Sequence, residues 1–225
     1  MKDRLRVLLT RVRPESLSGK IVELLDSPEN ETIDVHALPC TWDITKLETY
    51  PDDLGEYDAI INTAGITLNE SVLHHNLWNA RKVFDVNVVG AMTLTSAFAR
   101  ARLGRGGLVI HVGSTGSRKV FTDCSAYCAS KAALAHYIQC AGYELKKDRI
   151  AVLGVHPGNI KGTNMTKKVQ LDLQLNRGMS PEKVSKIYEE AHDPYDVATF
   201  IINLLNMPLM DISGENYYLG QSWKG

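Results

Sequence analysis

The chain has 225 residues, with 25 Lys and Arg against 26 Asp and Glu and a formal net charge of −1. This length suits a single domain with a full core. A charge so near zero carries no field to draw in nucleic acid or an anionic membrane surface, so no partner of either kind is expected. No apolar stretch approaches the roughly 20 residues of a membrane span, and the start MKDRLRVLLT is too briefly apolar for a signal-peptide core; a cytoplasmic protein is expected. Lys146, Lys147 and Arg149 form a local basic cluster that reads as a solvated face.

Short β-type runs alternate with helical patterns along the whole chain. The implied fold class is α/β, a doubly wound parallel sheet with helices on both faces. Strands are predicted at 5–9, 32–38, 58–62, 108–112, 150–155 and 216–219, most of them continuous apolar runs of the kind buried on both faces. After the first, Leu17, Ile21 and Leu25 recur at helical spacing. The stretch FDVNVVGAM is helical and apolar but interrupted by Asn87, and the segment SAYCASK reads as the start of a further helix. Residues 162–179 have neither clear period nor strong turn signals, and are expected to be a lid over a substrate or a plain surface loop. A later helix is marked by Asp193 as cap, Pro194 in the first turn, and Val197, Phe200, Ile201, Leu204 and Leu205 at helical spacing; it should pack on the sheet.

The chemistry concentrates in three residues. Tyr127 and Lys131 are spaced i, i+4, so one helix face carries both. An ammonium beside a phenol favours the phenolate, and Lys131 is expected to hold Tyr127 below its ordinary pKa of about 10. Ser114 lies in the turn after the fourth strand, where its hydroxyl can face Tyr127 across a cleft and hold a substrate oxygen. The cysteines Cys40, Cys124, Cys128 and Cys140 show no Cys-x-x-Cys spacing and read as reduced, small apolar side chains; neither they nor the adjacent His74 and His75 cluster with further ligands, so no metal site is expected.

With Asn87 added, the set Asn87, Ser114, Tyr127 and Lys131 resembles, in order and spacing, the catalytic tetrad of the short-chain dehydrogenase/reductase family. Asn62-Thr63-Ala64-Gly65, Pro157-Gly158 and the closing GENYYLG resemble family patches too, and the likeness covers essentially the whole chain. It implies a Rossmann-like fold and an NAD(P)-dependent oxidoreductase interconverting a carbonyl and an alcohol on a small molecule. By resemblance, Ser114 holds the carbonyl oxygen, Tyr127 delivers the proton, and Lys131 tunes Tyr127 and binds the nicotinamide ribose. Asn87 would hold a water that refills the proton through Lys131. The family also implies a homodimer or homotetramer, and the small residues Ala132, Ala133, Ala135 and Ala141 suit close helix packing there or within a monomer core.

One patch departs from the family. The phosphate-binding turn after the first strand, glycine-rich in relatives, reads Thr10-Arg11-Val12-Arg13-Pro14-Glu15-Ser16-Leu17-Ser18. Ser16 and Ser18 align with two of the missing glycines, and Arg11 and Arg13 could supply charge to a phosphate. Asp43 and Ile44 resemble the pair that contacts adenine, and Asn62, Ala64 and Gly65 the stretch beside the adenosine ribose. Pro157, Gly158, Ile160 and Thr163 would flank the nicotinamide. Thr10 to Asp43 is short, so one helix there should be reduced to a turn. The second strand, ending His36-Ala37-Leu38, lacks an acid for a ribose 2′-hydroxyl, which with the two arginines favours NADP(H) over NAD(H). The altered turn keeps a second possibility open, a catalytically idle family member that binds or regulates. A third is an epimerase or dehydratase of nucleotide sugars, against which the tail after Gly158 is short. Met165, Leu171, Leu173, Leu175 and Met179 could line an apolar substrate pocket, whereas Lys167, Lys168 and Arg177 would suit an acid.

Overall fold

The structure, a computed structural model, describes residues 4–12, 16–30, 32–39 and 42–220, with the backbone alone at 11 and 12. Among these residues one parallel sheet is built from β1 (Leu5–Val12), β2 (Ile33–Pro39), β3 (Ala59–Asn62), β4 (Gly107–Val112), β5 (Ile150–His156) and β6 (Asn216–Tyr218), in the order β2-β1-β3-β4-β5-β6. The chain moves outward from β1 to β2, then returns past β1 to begin β3. That reversal is the topological switch point, and ligands of open α/β sheets bind beyond the strand C-termini at such a point.

The helices follow from the alternation of the strands. Val7, Leu9, Ile61 and Ile110 point to one face, where they meet α1 (Leu17–Leu25) and α7 (Pro194–Leu204). Leu8, Ile60, Val109 and Val152 point to the other, against α3 (Gly90–Ala101) and α4 (Ser125–Leu145). Each strand is therefore apolar at successive positions. Asp193 caps α7 as expected, its carboxylate accepting the Tyr195 N–H at 2.8 Å, and Val197, Ala198 and Ile201 are wholly buried on the sheet. Between Thr10 and Asp43 the described chain holds one helix, α1, then a 3₁₀ turn at Pro28–Asn30 and β2; the return from β2 to β3 adds two further 3₁₀ turns, Leu47–Thr49 and Leu54–Glu56.

Residues 162–179 correct the sequence expectation of a loop. They contain a helix, α5 (Asn164–Leu175), capped by Thr163 and followed by α6 (Pro181–Ile187). Thr166 is its buried residue, so α5 lies on the surface and carries no apolar stripe to betray it. Leu173 and Met179 pack with Val184, Tyr188 and Ala191 into a small separate core, while Leu171 and Leu175 face solvent, at 55% and 72% exposure. The apolar substrate pocket expected from those residues and Met165 is thus divided between a packed cluster and the surface. Arg177 is committed to Asp123 at 2.6 Å and Asp172 at 3.2 Å, which pins the end of α5 to the loop that leads into α4. Among the described residues no helix is long and apolar enough to cross a membrane.

Candidate active site

The ends of β3, β4 and β5 and the first turns of α4 converge on one spot. Tyr127 and Lys131 lie one turn apart on the buried face of α4, at 8% and 3% exposure, and the ammonium sits 5.9 Å from the centre of the phenol ring. The Tyr127 hydroxyl lies close enough to Ser114 for that side chain to lower its pKa, and Ser114 leaves β4 in a turn where its own Oγ accepts the Gly116 N–H at 3.0 Å. Lys131 Nζ donates to the Val112 carbonyl at 3.2 Å. Both side chains thus turn inward, toward one another's surroundings.

Their electrostatics correct the expectation drawn from spacing. Burial pushes the Tyr127 phenol up to about 12, with the Ser114 side chain opposing it, and burial brings the Lys131 ammonium down to about 8. Desolvation disfavours whichever form is charged, and at this depth it outweighs the attraction between ammonium and phenolate. Lys131 meets a neutral carbonyl rather than a carboxylate, so its charge is poorly compensated within the protein.

Asn87 lies in a π-helical turn, Asp85–Val89, between α2 (Leu77–Phe84) and α3. Its amide brackets Ile66, accepting the backbone N–H and donating to the carbonyl, both at 2.9 Å, and donates its second hydrogen to Ser130 Oγ at 3.0 Å. Both amide hydrogens are taken. The side chain therefore braces the loop after β3, and the expectation that it holds a water rests on its remaining acceptor lone pair and backbone. Ser130 in turn donates to the Tyr127 carbonyl at 2.7 Å.

Gly65 completes the wall. A Cβ at that position would lie 3.3 Å from Lys131 Nζ and 3.5 Å from Asn87 Oδ1. Gly65→Ala should displace the flexible lysine tip without opening the core. The expected result is a fall in kcat of about tenfold, from a displacement of a few tenths of an ångström. The melting temperature should drop by no more than about 4 °C, because the change is a local one of under about 1 kcal/mol.

The sequence-predicted cofactor residues divide. Thr10 is wholly buried at the end of β1; its hydroxyl donates to Asn62 Oδ1 at 3.0 Å and accepts the Thr63 N–H at 3.0 Å, so it ties β1 to β3 rather than offering a free group. Asn62 Oδ1 also accepts the Ala64 N–H, and Ala64 is buried beside Gly65. Ser16 caps α1 by accepting the Gly19 N–H at 3.3 Å, and its oxygen lies 2.6 Å from Ser18 Oγ, with Ser18 buried under the helix. Ser18 is 3% exposed, and both hydroxyls are engaged locally. Ile44 is 2% exposed and belongs to the core, which corrects its expected place on a ligand surface, and Asp43 accepts from the Thr45 backbone and hydroxyl. Pro157 and Gly158 follow β5, the Pro157 carbonyl accepting the Thr115 N–H at 2.9 Å; Ile160 bridges to His192, and Thr163 is spent on capping α5. Arg13 and Cys40 lie outside the described residues, as does the side chain of Arg11. Of the other cysteines, Cys124, Cys128 and Cys140 are free thiols.

Two buried histidines escaped the sequence reading. His111 Nδ1 meets Asn62 Nδ2 at 3.1 Å and Nε2 meets Thr95 Oγ1 at 2.8 Å. Because Asn62 Nδ2 can only donate, His111 is neutral with its proton on Nε2, and burial takes its pKa down to about 3. The second, His156, ends β5. The signal was available: each is a titratable residue inside a continuous apolar run, and a polar group buried there requires partners.

A cleft of about 130 Å³ opens beside the Ser114 turn, lined by Thr115, Lys119, Phe121, Gly158, Ile187 and His192. Ser114, Tyr127 and Lys131 do not line this cleft, although Thr115 next to Ser114 does; their two hydroxyls and under-compensated ammonium can hold an oxygen atom and exchange a proton with it. The same features fit a nicotinamide cofactor: the buried Lys131 has donors to spare for a diol, and Gly65 leaves its approach unfilled by a side chain.

Comparison with known proteins agrees with this architecture. The family model described as short chain dehydrogenase matches residues 15–174. The chain is 27% identical over 180 residues to the NADP-dependent 3-hydroxy acid dehydrogenase of Schizosaccharomyces pombe, covering 75% of this chain and 66% of that one. It is 33% identical over 113 residues to the short-chain dehydrogenase srdE of Neurospora crassa, covering 50% and 39%. The matched stretches thus span less than two thirds of either relative's length. In fold it is similar to the 3-oxoacyl-[acyl-carrier protein] reductase of Brucella melitensis in complex with NAD, with a TM-score of 0.74, 22% identity and coverage of 97% of this chain and 96% of that one. With a family model matched over most of its length, on a sheet of the corresponding topology, this chain belongs to the short chain dehydrogenase family.

Proposed function

We propose that the protein is an NAD(P)-dependent oxidoreductase that interconverts a carbonyl and an alcohol on a small molecule, with Ser114, Tyr127, Lys131 and Asn87 as its working residues. The observation that carries this is the burial of Tyr127 beside Ser114, on one helix face with a buried Lys131 whose partner is a carbonyl. An idle scaffold has no physical need to bury an ammonium at a cost without a carboxylate beside it.

The bound cofactor would supply the hydride. In the reductive direction Ser114 hydrogen-bonds the carbonyl oxygen and Tyr127 donates its proton to that oxygen as negative charge develops there. Lys131 then supports the tyrosinate, and Asn87 keeps the Gly65–Ile66 backbone at the distance Lys131 requires. Thr10, Asn62 and Ala64 shape the wall at the switch point, the N-terminus of α1 with Ser16 and Ser18 faces the phosphates, to which the sequence neighbours Arg11 and Arg13 would add charge, and Pro157, Gly158, Ile160 and Thr163 border the nicotinamide side. Asp43 meets the base, with Ile44 as its packed support.

NADP(H) is favoured over NAD(H), since β2 ends in Ala37-Leu38-Pro39 without an acid and the S. pombe relative is NADP-dependent. The single domain would work as a homodimer or homotetramer in the cytoplasm; Leu77 and Trp78 of α2, at 79% and 77% exposure, are candidates for such a contact. The substrate is a carbonyl compound small enough for the Ser114 cleft, and a 3-oxo acid or ester is the first to try on the strength of the relatives' names.

Fluorescence titration with NADPH and NADH, followed by turnover of ethyl acetoacetate, acetoacetate and an aldohexose, tests the proposal. Binding of at least one cofactor and its oxidation by a carbonyl of this set is the expected result. Failure to bind either cofactor would contradict it and favour the idle alternative.

A further inference from the structure

We propose that His156 is a positioning residue for proton transfer: as the neutral ring protonated on Nε2, it holds the Ser114 turn at a fixed separation from the helix that carries Tyr127. The inference rests on the functional role assigned above to Ser114 and Tyr127.

The geometry is a strut of three hydrogen bonds running in one direction. The Ser114 backbone N–H donates to His156 Nδ1 at 3.2 Å, and His156 Nε2 lies 2.6 Å from Asn216 Oδ1. Asn216 Nδ2 donates to the Ala135 carbonyl of α4 at 3.0 Å. Each partner fixes the next. Because the Ala135 carbonyl can only accept, the Asn216 amide must present its oxygen to the imidazole, so Nε2 carries the proton and Nδ1 is left as an acceptor. The 3.4 Å approach of Nδ1 to the Ser114 carbonyl is then a contact between two acceptors, not a bond. Ala135 lies one helical turn beyond Lys131 and two beyond Tyr127, so the far end of the strut is anchored on the segment that must stay aligned with Ser114.

The surroundings are shaped to hold a ring here. A Cβ on Gly113 would fall 2.2 Å from His156 Nδ1, and one on Gly154 would fall 2.6 Å from Nε2 and 2.3 Å from Asn216 Oδ1. Only glycine at these two positions leaves the slot open. Tyr218 stacks on the imidazole at 4.5 Å and 18°, and the Arg118 guanidinium covers Tyr218 at 3.6 Å. His156 is wholly buried, and burial with the nearby charges of Lys131 and Arg118 brings its pKa down to about 4, so the acceptor on Nδ1 persists at neutral pH. A ring protonated on Nδ1 would set two N–H groups against each other and push the Ser114 turn away. The Ser114 carbonyl accepts from Ser117 Oγ at 2.7 Å, and the flanking Gly113 and Thr115 N–H groups donate to the Val155 and Pro157 carbonyls at 2.7 and 2.9 Å, so His156 supplies the partner for the Ser114 N–H between them.

Three variants and one spectrum test this on the full-length protein. His156→Leu fills the slot but removes the acceptor; it should lower kcat for ethyl acetoacetate reduction by about 10- to 100-fold while KM and cofactor affinity stay within about twofold, the signature of lost alignment. His156→Asn returns an acceptor near the Nδ1 position and should restore kcat to within about fivefold of wild type. Asn216→Leu should behave as a weaker His156→Leu, because the ring loses what fixes its tautomer. Long-range ¹H–¹⁵N spectra of the wild type should show Nε2 protonated and Nδ1 bare at neutral pH. Unchanged kcat in a folded His156→Leu, or no rescue by His156→Asn, overturns the proposal. If these variants do not fold, a protonated Nδ1 in the wild-type spectrum overturns it alone. A wild type that turns over no carbonyl compound would instead refute the assigned function, and the spectrum would still decide whether the strut exists.

Discussion

Tyr127→Phe should lower kcat by at least about 10²- to 10⁴-fold, the contribution of a positioned general acid, while cofactor affinity stays within about twofold. The variant removes one oxygen atom. The ring that packs beneath the cleft remains, and so does the Lys131 bond to the Val112 carbonyl. The lost oxygen is the phenol beside Ser114, and no other phenol or carboxylic acid takes part in the Ser114, Lys131 and Asn87 contacts described above. Stability should change little or rise, because the buried hydroxyl no longer needs its partner, although Ser114 keeps the Gly116 N–H. Steady-state kinetics with a fluorescence titration of the cofactor check both halves. Retained turnover would remove Tyr127 from the reaction.

Lys131→Met should stabilise the ligand-free protein by about 2 kcal/mol at pH 7 and abolish turnover. The fall of the lysine pKa from 10.5 to about 8 is the size of the burden that its charge places on the fold, about 3 kcal/mol at neutral pH. Methionine fills much of the same volume without that charge, and losing the bond to the Val112 carbonyl returns about 1 kcal/mol. The sign follows from proton counts. Between pH 8 and 10.5 the unfolded lysine holds its proton and the folded one does not, so wild-type stability should rise with pH across that interval. Above pH 10 the trend is opposed by Tyr127, which keeps its proton when folded up to about 12 and loses it when unfolded near 10. Denaturant melts of both proteins at pH 7 and pH 9.5 read this directly: the gap between variant and wild type should narrow as the pH rises. A wild type more stable than the variant at pH 7, with no narrowing, would mean that the ammonium is better compensated than the geometry indicates.

The sheet was legible because its strands are buried on both faces. Runs such as Leu108 to Val112 carry no polar interruption except His111, and every predicted strand lies within about two residues of an observed one, apart from β1, which runs on to Val12. Spacing placed Tyr127 and Lys131 on one helix face, and it was the family resemblance that added Ser114 and Asn87 to them. Depth was not legible. A one-turn spacing states that phenol and ammonium share a face, but not that the face lies against the sheet, and it is depth that reverses the expected pKa shift of Tyr127. Helix α5 was missed because a surface helix with Thr166 as its buried residue leaves no apolar period to count. For His156, the apolar run signalled that partners were needed but not which ones. Its partners Ser114 and Asn216 are 42 and 60 residues away, and nothing local announces them.

The opposed shifts also define what cofactor binding must accomplish. Lys131, already mostly charged at neutral pH, should keep its charge to higher pH when a polar partner joins it, and a Lys131 still charged there would lower the phenol beside it. Titration of the tyrosinate absorbance, wild type minus Tyr127→Phe, with and without the oxidised cofactor, measures this. Tyr127 should resist ionisation to about 12 in the free protein and ionise at a clearly lower pH, below the ordinary 10, once cofactor is bound. An identical difference titration with and without a cofactor that demonstrably binds would contradict it.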